Sequence, residues 1–355
     1  MDLCTKIYYD KITKDSDNSF LDVFDYEWNL FLKELDLIYT ASDQLRIGNR
    51  LRPIMTCWGY MHCYDINDVI DFHYIAKVAV CLEAMHKASV IIDDVIDGDT
   101  QRRGVNCIHV DYSEHEAIFF SVCIISSAIS TLNQLLHTDF PNNFATETTS
   151  LLCNTILQMC KGALLEITST ESDRINMERI KNIIDFETVT LLKNSLVIGY
   201  ISSNKVTEEM QEILVSIGTR CGYIFQVMND LEPFCNPEYI KQHKGNLNTD
   251  YFKSRKNIVI PYLYDTISKK EQEWLKSALN TPGKLNDIVI LFENYKMKKV
   301  ILNDMDKIQN VIHKEISLLG AYCDNSNWIM CFESFVDYLI EYCLSILDGV
   351  PKQWN

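Results

Sequence analysis

Between Phe20 and Thr40 the apolar residues Phe24, Trp28, Phe31, Leu35 and Ile38 recur at three- and four-residue steps. That spacing gathers them on one face of a helix and leaves polar positions on the other. A second helix is expected to begin near Pro53, since proline fits a first helical turn. A third runs from Asn67 to Asp97, with Ile75, Val78, Ala79, Leu82, Met85 and Ser89 along one side, and ends at Gly98. Helical spacing continues over Glu114–His137, Phe144–Ile167, Met177–Ile201, Thr207–Phe234, Lys256–Ile267, Lys269–Leu279, a broken stretch Lys284–Leu319, and Trp328–Leu347. The weak breaks fall at Pro141–Asn143, Ser202–Lys205 and Pro233–Asn248. No repeat, low-complexity tract or flexible linker divides the chain. The pattern predicts an all-α fold, one domain over residues 1–355 made of about a dozen helices.

Composition agrees. Twelve glycines and seven prolines in 355 residues are too few breakers for many short strands. An apolar share of 47% with 23% charged residues is that of a chain with a sizeable core. Forty-nine acidic against 33 basic side chains give a net charge of −16. That field repels polyanions, which argues against nucleic acid and anionic membrane surfaces as partners. A small anion is still compatible where cations cluster. Thirteen cysteines, with no CxxC pair, sit partly inside apolar runs (Cys57, Cys81, Cys123, Cys153, Cys160), as small core hydrophobes do. This usage favours a reducing compartment, and a cytoplasmic location is expected. The first residues show no basic stretch leading into an apolar one. The most apolar window, Ala117–Ser130, is short for a bilayer and is expected to be a buried core helix, without stable membrane insertion.

Chemistry concentrates in "SVIIDDVIDGDTQRRGV", residues 89–105. Asp93 and Asp97 share a helical face, and Asp94 lies about 100° round. Three like charges repel, and at a helix C-terminus they also oppose the macrodipole. A bound cation reverses both penalties. Carboxylate oxygens suit a hard ion such as Mg²⁺, which bridges acids to phosphate oxygens. The plain alternative is a solvated acidic helix end. Two features weigh against it: the positions between the acids are apolar, and Arg102-Arg103 follow. Guanidinium forks match phosphate oxygens. Acids for a metal and arginines for phosphate point to a metal–diphosphate ligand.

The ordered set Glu83, His86, Ser89, Asp93, Asp94, Asp97, Arg102, Arg103 and Gly104 resembles the first aspartate-rich region of trans-isoprenyl diphosphate synthases. Other segments follow in the family's order. "GNRLRP" from Gly48 is similar to its GKxxRP loop, "KGALLE" from Lys161 to its GQxxD/E segment, and "LLKNS" with Lys193 to its KT segment. "GYIFQVMND" from Gly222 resembles the start of the second aspartate-rich motif, and "TDYFKSRKNIVIP" from Thr249 the stretch after it. The resemblance covers residues 45 to 265 and implies an all-α domain around a deep central cavity, a homodimer, and about three Mg²⁺ ions per site.

Carried over by position, the resemblance implies that Asp93, Asp94, Asp97, Asn229 and Asp230 hold metal on opposite walls. Arg102, Lys193 and Lys256 complete a phosphate cage that stabilises the departing diphosphate. Gln226 lines the allylic site. Arg52, His86 and Arg103 hold isopentenyl diphosphate, whose double bond attacks the allylic cation. Ala88 and Ser89 are small where the family places aromatic floors, which implies a product of twenty carbons or more, with Met85 as the next floor. The chain also departs from the family. Gly48-Asn49 lacks the GK lysine, and Arg50 is the nearest replacement. Asn229-Asp230-Leu231-Glu232-Pro233 stands where DDxxD is usual, and Ala163 replaces a glutamine. These changes keep two other readings open. One is a class I terpene synthase that ionises and cyclises a prenyl diphosphate without a second substrate. The other is a non-catalytic subunit.

Overall fold

The structure is a computed structural model that describes residues 3–13, 18–135, 142–203, 205–235, 256–279, 281 and 284–347. It is all-α apart from one small hairpin. Helices α1 (Leu3–Ile12), α2 (Phe20–Leu35), α3 (Asp43–Arg46), α4 (Leu51–Met61) and α5 (His73–Asp97) form the first half of the bundle. The hairpin strands β1 (Gln101–Arg102) and β2 (Val105–Asn106) follow, then α6 (Ile108–Asp111), α7 (Glu114–Leu135) and α8 (Asn142–Ile167). Next come α9 (Met177–Ile184), α10 (Thr190–Ile201) and α11 (Glu208–Cys235). The chain closes with α12 (Val259–Thr266), α13 (Lys269–Ala278), α14 (Leu285–Asn294), α15 (Met297–Leu318) and α16 (Ser326–Leu347).

Helix α4 is the axle: all eleven of its residues are buried. It lies against α10 with almost no space between backbones. A Cβ at Gly59 would sit 2.1 Å from the Leu196 carbonyl oxygen, and one at Gly199 would sit 1.9 Å from that of Thr56. Only glycine fits either position. Helix α5 packs beside α4 and α7. It ends at Gly98 (φ 64°), whose N–H bonds the Asp94 and Val95 carbonyls in a left-handed cap. The acidic motif therefore occupies the last turn.

Several boundaries differ from the periodicity. The helix expected to reach Thr40 stops at Asp36 (φ 46°), which caps Lys33. The helix expected from Asn67 begins at His73. The stretch Met177–Ile201 is two helices parted by a π-turn, Asp185–Val189. Helix α7 corrects the expectation of a buried helix at Ala117–Ser130. Ala117, Phe120, Ser121, Ile124 and Ala128 face the core, but Ile118, Phe119 and Val122 are exposed, Phe119 by 71%. By length and composition α7 is apolar enough to cross a membrane, with 28% of its most apolar window buried. Leu157 and Leu164 add exposed apolar surface on α8.

Candidate functional site

A cavity of about 660 Å³ opens between the start of α4, the second half of α5, the hairpin, α8, the π-turn, α11 and Lys256. Its volume is that of a small-molecule site. Asp93 and Asp97 line it from the end of α5, and Asn229, Asp230 and Glu232 from α11. Ser89, Met85, Ile125, Ile156 and Met159 supply an apolar part. Arg52, His86, Lys87, Arg102 and Arg103 supply cations or hydrogen-bond donors.

The three aspartates of α5 do different things. Asp93 is half-exposed, its side chain 47% accessible. Asp97 lines the cavity, and its carboxyl is pushed up to about 7 by burial and then by Asp93, Asp99 and Glu166. Three acidic neighbours thus gather around one carboxyl, with Lys256 acting in the opposite sense. Asp94 is 1% exposed and does not line the cavity. It accepts from Arg102 Nε at 2.6 Å, lies 2.5 Å from the other guanidinium nitrogen, and accepts from Gln44 Nε2. Gln44 is fixed in turn by the Ile108 N–H, 2.9 Å from its Oε1. Asp94 thus ties α3, α5, the hairpin and α6 together.

The hairpin explains why the two arginines diverge. Arg103 (φ 54°) and Gly104 (φ 79°) are consecutive left-handed residues between paired strands, the backbone of a type I′ turn. A left-handed arginine is strained by roughly 1–3 kcal/mol. The turn folds Arg102 back onto Asp94 and Asp93, the latter 3.6 Å away. Arg103 is exposed at the cavity mouth. Arg52 is 8% exposed, and its Nε is buried without an acceptor. His86 is pushed far below the usual histidine range by burial and then by Arg52, Lys87, Arg103 and Arg102, so it faces the cavity neutral. Arg50 does not face an open anion site. It pairs with Glu83 at 3.3 Å and Asp25 at 3.6 Å, and lies over the Phe24 and Trp28 rings.

On the opposite wall Asp230 is raised to about 7, chiefly by burial. It accepts from Gln226 Nε2 at 2.6 Å and from the Ile258 N–H at 2.8 Å. Gln226 accepts from Thr188 at 2.7 Å, so its amide orientation is set and it positions Asp230. Lys256 sits between Glu166 (3.1 Å) and Glu187, which hold its ammonium well above the ordinary range against the effect of burial. Asn229 and Glu232 both line the cavity, one helical turn apart on α11.

Not every expected residue is brought in. Lys193 is not among the cavity-lining residues. It is half-buried on α10, within the influence of Asp185 and with its own Cα, Cβ and Cγ against Gly218. Glu187 and Thr188 of the π-turn occupy the wall instead. Ala88 is 0% exposed in the core and does not line the cavity, whereas its neighbour Ser89 does. Gln44, Lys87, Glu187 and Thr188 are site residues that spacing alone did not single out. Most of the Thr249–Pro261 segment precedes Lys256 and lies outside the described residues.

The polyprenyl synthetase family model matches residues 36–293, most of the chain. The chain belongs to this family. Among curated relatives, a short chain isoprenyl diphosphate synthase of Methanocaldococcus jannaschii is 26% identical over 265 residues, covering 74% of this chain and 77% of that one. A geranylgeranyl diphosphate synthase of Saccharolobus solfataricus is 25% identical over 277 residues, covering 78% and 75%. The fold is also that of a T. brucei farnesyl diphosphate synthase, with a TM-score of 0.76 at 15% identity, covering 91% of this chain and 98% of that one. As a trans-isoprenyl diphosphate synthase the chain is a prenyltransferase. For this family the relevant donor set is oxygen-rich: Asp93 and Asp97 facing Asn229, Asp230 and Glu232 across one cavity. Among the described residues no three acidic, histidine or cysteine side chains converge to hold a metal ion alone.

Proposed function

We propose that this prenyltransferase condenses an allylic diphosphate with isopentenyl diphosphate, head to tail, to give a trans-prenyl diphosphate of twenty carbons or more. The observation that carries the reading is the division of one cavity into an acidic pair of walls, a cationic end and an apolar end. Asp93 and Asp97, with Asn229 and Asp230 opposite, fit Mg²⁺ that is shared with the allylic diphosphate. The ion supplies charge neutralisation of the leaving group. Lys256 lies beside this site, held by Glu166 and Glu187. Arg102 holds Asp94 and reaches Asp93, which positions the acidic turn. Arg52, neutral His86 and Arg103 suit the diphosphate of isopentenyl diphosphate. The allylic tail would extend past Ser89 toward Met85, Ile156 and Met159.

The exposed apolar faces of α7 and α8 suit a homodimer, since such patches on a soluble chain mark association surfaces. Asn49 and Asn229, each neutral where the family pattern is charged, favour a second reading in which the allylic diphosphate is ionised without isopentenyl diphosphate.

Purified protein with Mg²⁺ and farnesyl diphosphate, with and without labelled isopentenyl diphosphate, separates the two. Longer labelled diphosphates that need both substrates support elongation. Hydrocarbons or alcohols from farnesyl diphosphate alone sink it in favour of cyclisation. Binding of both substrates with no turnover sinks both and leaves a non-catalytic subunit.

A further inference from the structure

The cationic end of the cavity holds a charge that no motif announces. A Cβ placed on Gly48 would lie 3.4 Å from Lys87 Nζ, 3.6 Å from an Arg103 guanidinium nitrogen and 3.8 Å from Glu83 Oε1. Lys87 and Arg103 therefore meet over one glycine at the mouth of the loop that leads into α4. Arg52, with its buried Nε lacking an acceptor, lines the same end. Glu83 is the nearest carboxylate, and it is shared: it pairs with Arg50 at 3.3 Å and lies 3.9 Å from Lys87. Arg52 and Arg103 have no carboxylate at ion-pair distance among the described residues. Asp25 also pairs with Arg50, so two acids face Arg50, Arg52, Lys87 and Arg103; a surplus of positive charge is left, and a polyanion would neutralise it.

Lys87 is also fixed in place. Its side chain is 8% exposed, and Nζ donates to the Ile47 carbonyl at 2.5 Å and the Gln44 carbonyl at 3.1 Å. An ammonium has three donors, so one is left for a ligand. A lysine held by two backbone carbonyls loses little further freedom when an anion arrives. Asn49, by contrast, brings no charge, and its amide donates to Tyr342 Oη at 3.2 Å.

We propose that Lys87 is a binding residue for the diphosphate of isopentenyl diphosphate, forming with Arg52 and Arg103 the cation set to which Asn49 contributes nothing. The inference rests on the elongation reading above. Lys87 reaches from α5 to the loop at Ile47 and Gly48, next to position 49. A charged hydrogen bond is worth about 1.5–3 kcal/mol, or roughly ten- to a hundredfold in binding.

The test is steady-state kinetics with each substrate varied in turn. Lys87→Met should raise KM for isopentenyl diphosphate about tenfold or more while leaving KM for the allylic diphosphate within about twofold. Lys87→Gln removes the charge and keeps a neutral N–H donor one bond shorter, so it should show the same selective rise, with the melting temperature measured alongside to report any loss of the Ile47 and Gln44 carbonyl bonds. Adding Asn49→Lys to Lys87→Gln should restore the KM, a rescue that a purely structural role does not allow. An unchanged KM for isopentenyl diphosphate in Lys87→Gln, or equal rises in both KM values, overturns the proposal. If the wild-type protein does not elongate at all, the functional reading fails first. Metal-free calorimetry with isopentenyl diphosphate then judges Lys87 by itself: a Kd unchanged by Lys87→Gln overturns it, and one weakened about tenfold supports it.

Discussion

Replacing Asp94 with asparagine asks whether the second aspartate of the motif holds a metal or holds the fold. Asp94 is 1% exposed and takes three donors, two from Arg102 and one from Gln44. Asparagine keeps one acceptor oxygen but presents an NH₂ to the remaining donor. Gln44 cannot turn its own oxygen toward that NH₂ without losing the Ile108 N–H bond. Breaking a buried ion pair by removing one partner destabilises by about 3–5 kcal/mol. Arg102 is 24% accessible and keeps Asp93 within 3.6 Å, so the lower end applies. A loss of about 3 kcal/mol corresponds to roughly 4 °C in Tm for a chain of this size. Asp97→Asn should behave in the opposite way. It removes a charge that repels Asp93, Asp99 and Glu166, so the metal-free protein should melt at or above the wild-type temperature. The assay is thermal melting in chelator, paired with a titration of Mg²⁺ in the activity assay. Asp97→Asn should raise the Mg²⁺ requirement, while Asp94→Asn should lower Tm without shifting it. A wild-type Tm for Asp94→Asn together with a raised Mg²⁺ requirement would refute the reasoning and return Asp94 to the metal.

Product length should answer to Ser89 rather than Ala88. Ser89→Phe puts a ring into the cavity and should shorten the longest product, whereas Ala88→Phe overpacks the core and should lower Tm by several degrees, about 1–3 kcal/mol; chromatography of dephosphorylated products and melting curves distinguish them, and shortening by Ala88→Phe alone contradicts the geometry. The pH dependence of metal-free stability follows from Asp97 and Asp230, both raised to about 7 by burial first. A carboxyl raised in the folded state binds its proton more tightly there than in the unfolded chain. Its stabilisation is full below the unfolded value and is lost as pH rises through the folded one. Chelated protein should therefore melt lower at about pH 8 than at about pH 5, and a Tm that climbs over that window would exclude the assignment. Gly199→Ala places a methyl 1.9 Å from the Thr56 carbonyl oxygen, on backbone that cannot yield, and should destabilise by about 3 kcal/mol or more. Soluble protein with wild-type melting would show that α4 and α10 have room to separate.

How much of this was legible in the sequence depended on sequence distance. The acidic turn and the two arginines fall within one short stretch, so their proximity follows from helix and turn geometry. The walls built from Asp93, Asp97, Gln226, Asn229 and Asp230 were found through motif order. The cation pocket was found only in part. Lys87 follows His86 on a helix where a lysine ordinarily reads as a solvated charge. Its role depends on the Gln44 and Ile47 carbonyls, forty or more residues earlier. Lys193 went the other way. The apolar period runs straight through Met177–Ile201, but the π-turn at Asp185–Val189 interrupts the α-helical phase. Glu187 and Thr188 consequently face the cavity while Lys193 lies on α10, away from its lining. Ala88 and Ser89 show the same limit at finer scale, since adjacent helical residues point about 100° apart and only one can line a wall.

Asp94 shows why a motif match does not assign roles within itself. Asp93, Asp94 and Asp97 are equal as letters, and mutual repulsion gave each the same need for a cation. The fold answers that need in two ways. Arg102 reaches Asp94 because a left-handed arginine and a glycine reverse the chain directly after it, and Gln44 arrives from a helix fifty residues away. With Asp94 paired inside the protein, Asp93 and Asp97 are the two aspartates of the motif that line the cavity. The middle aspartate thus positions the outer pair by anchoring the last turn of α5 to the hairpin. It follows that an intact DDxxD stretch reports two things at once, a site and the strut that holds it. Loss of either outer acid should weaken metal-dependent chemistry in a folded protein, and loss of the middle one should act through the fold.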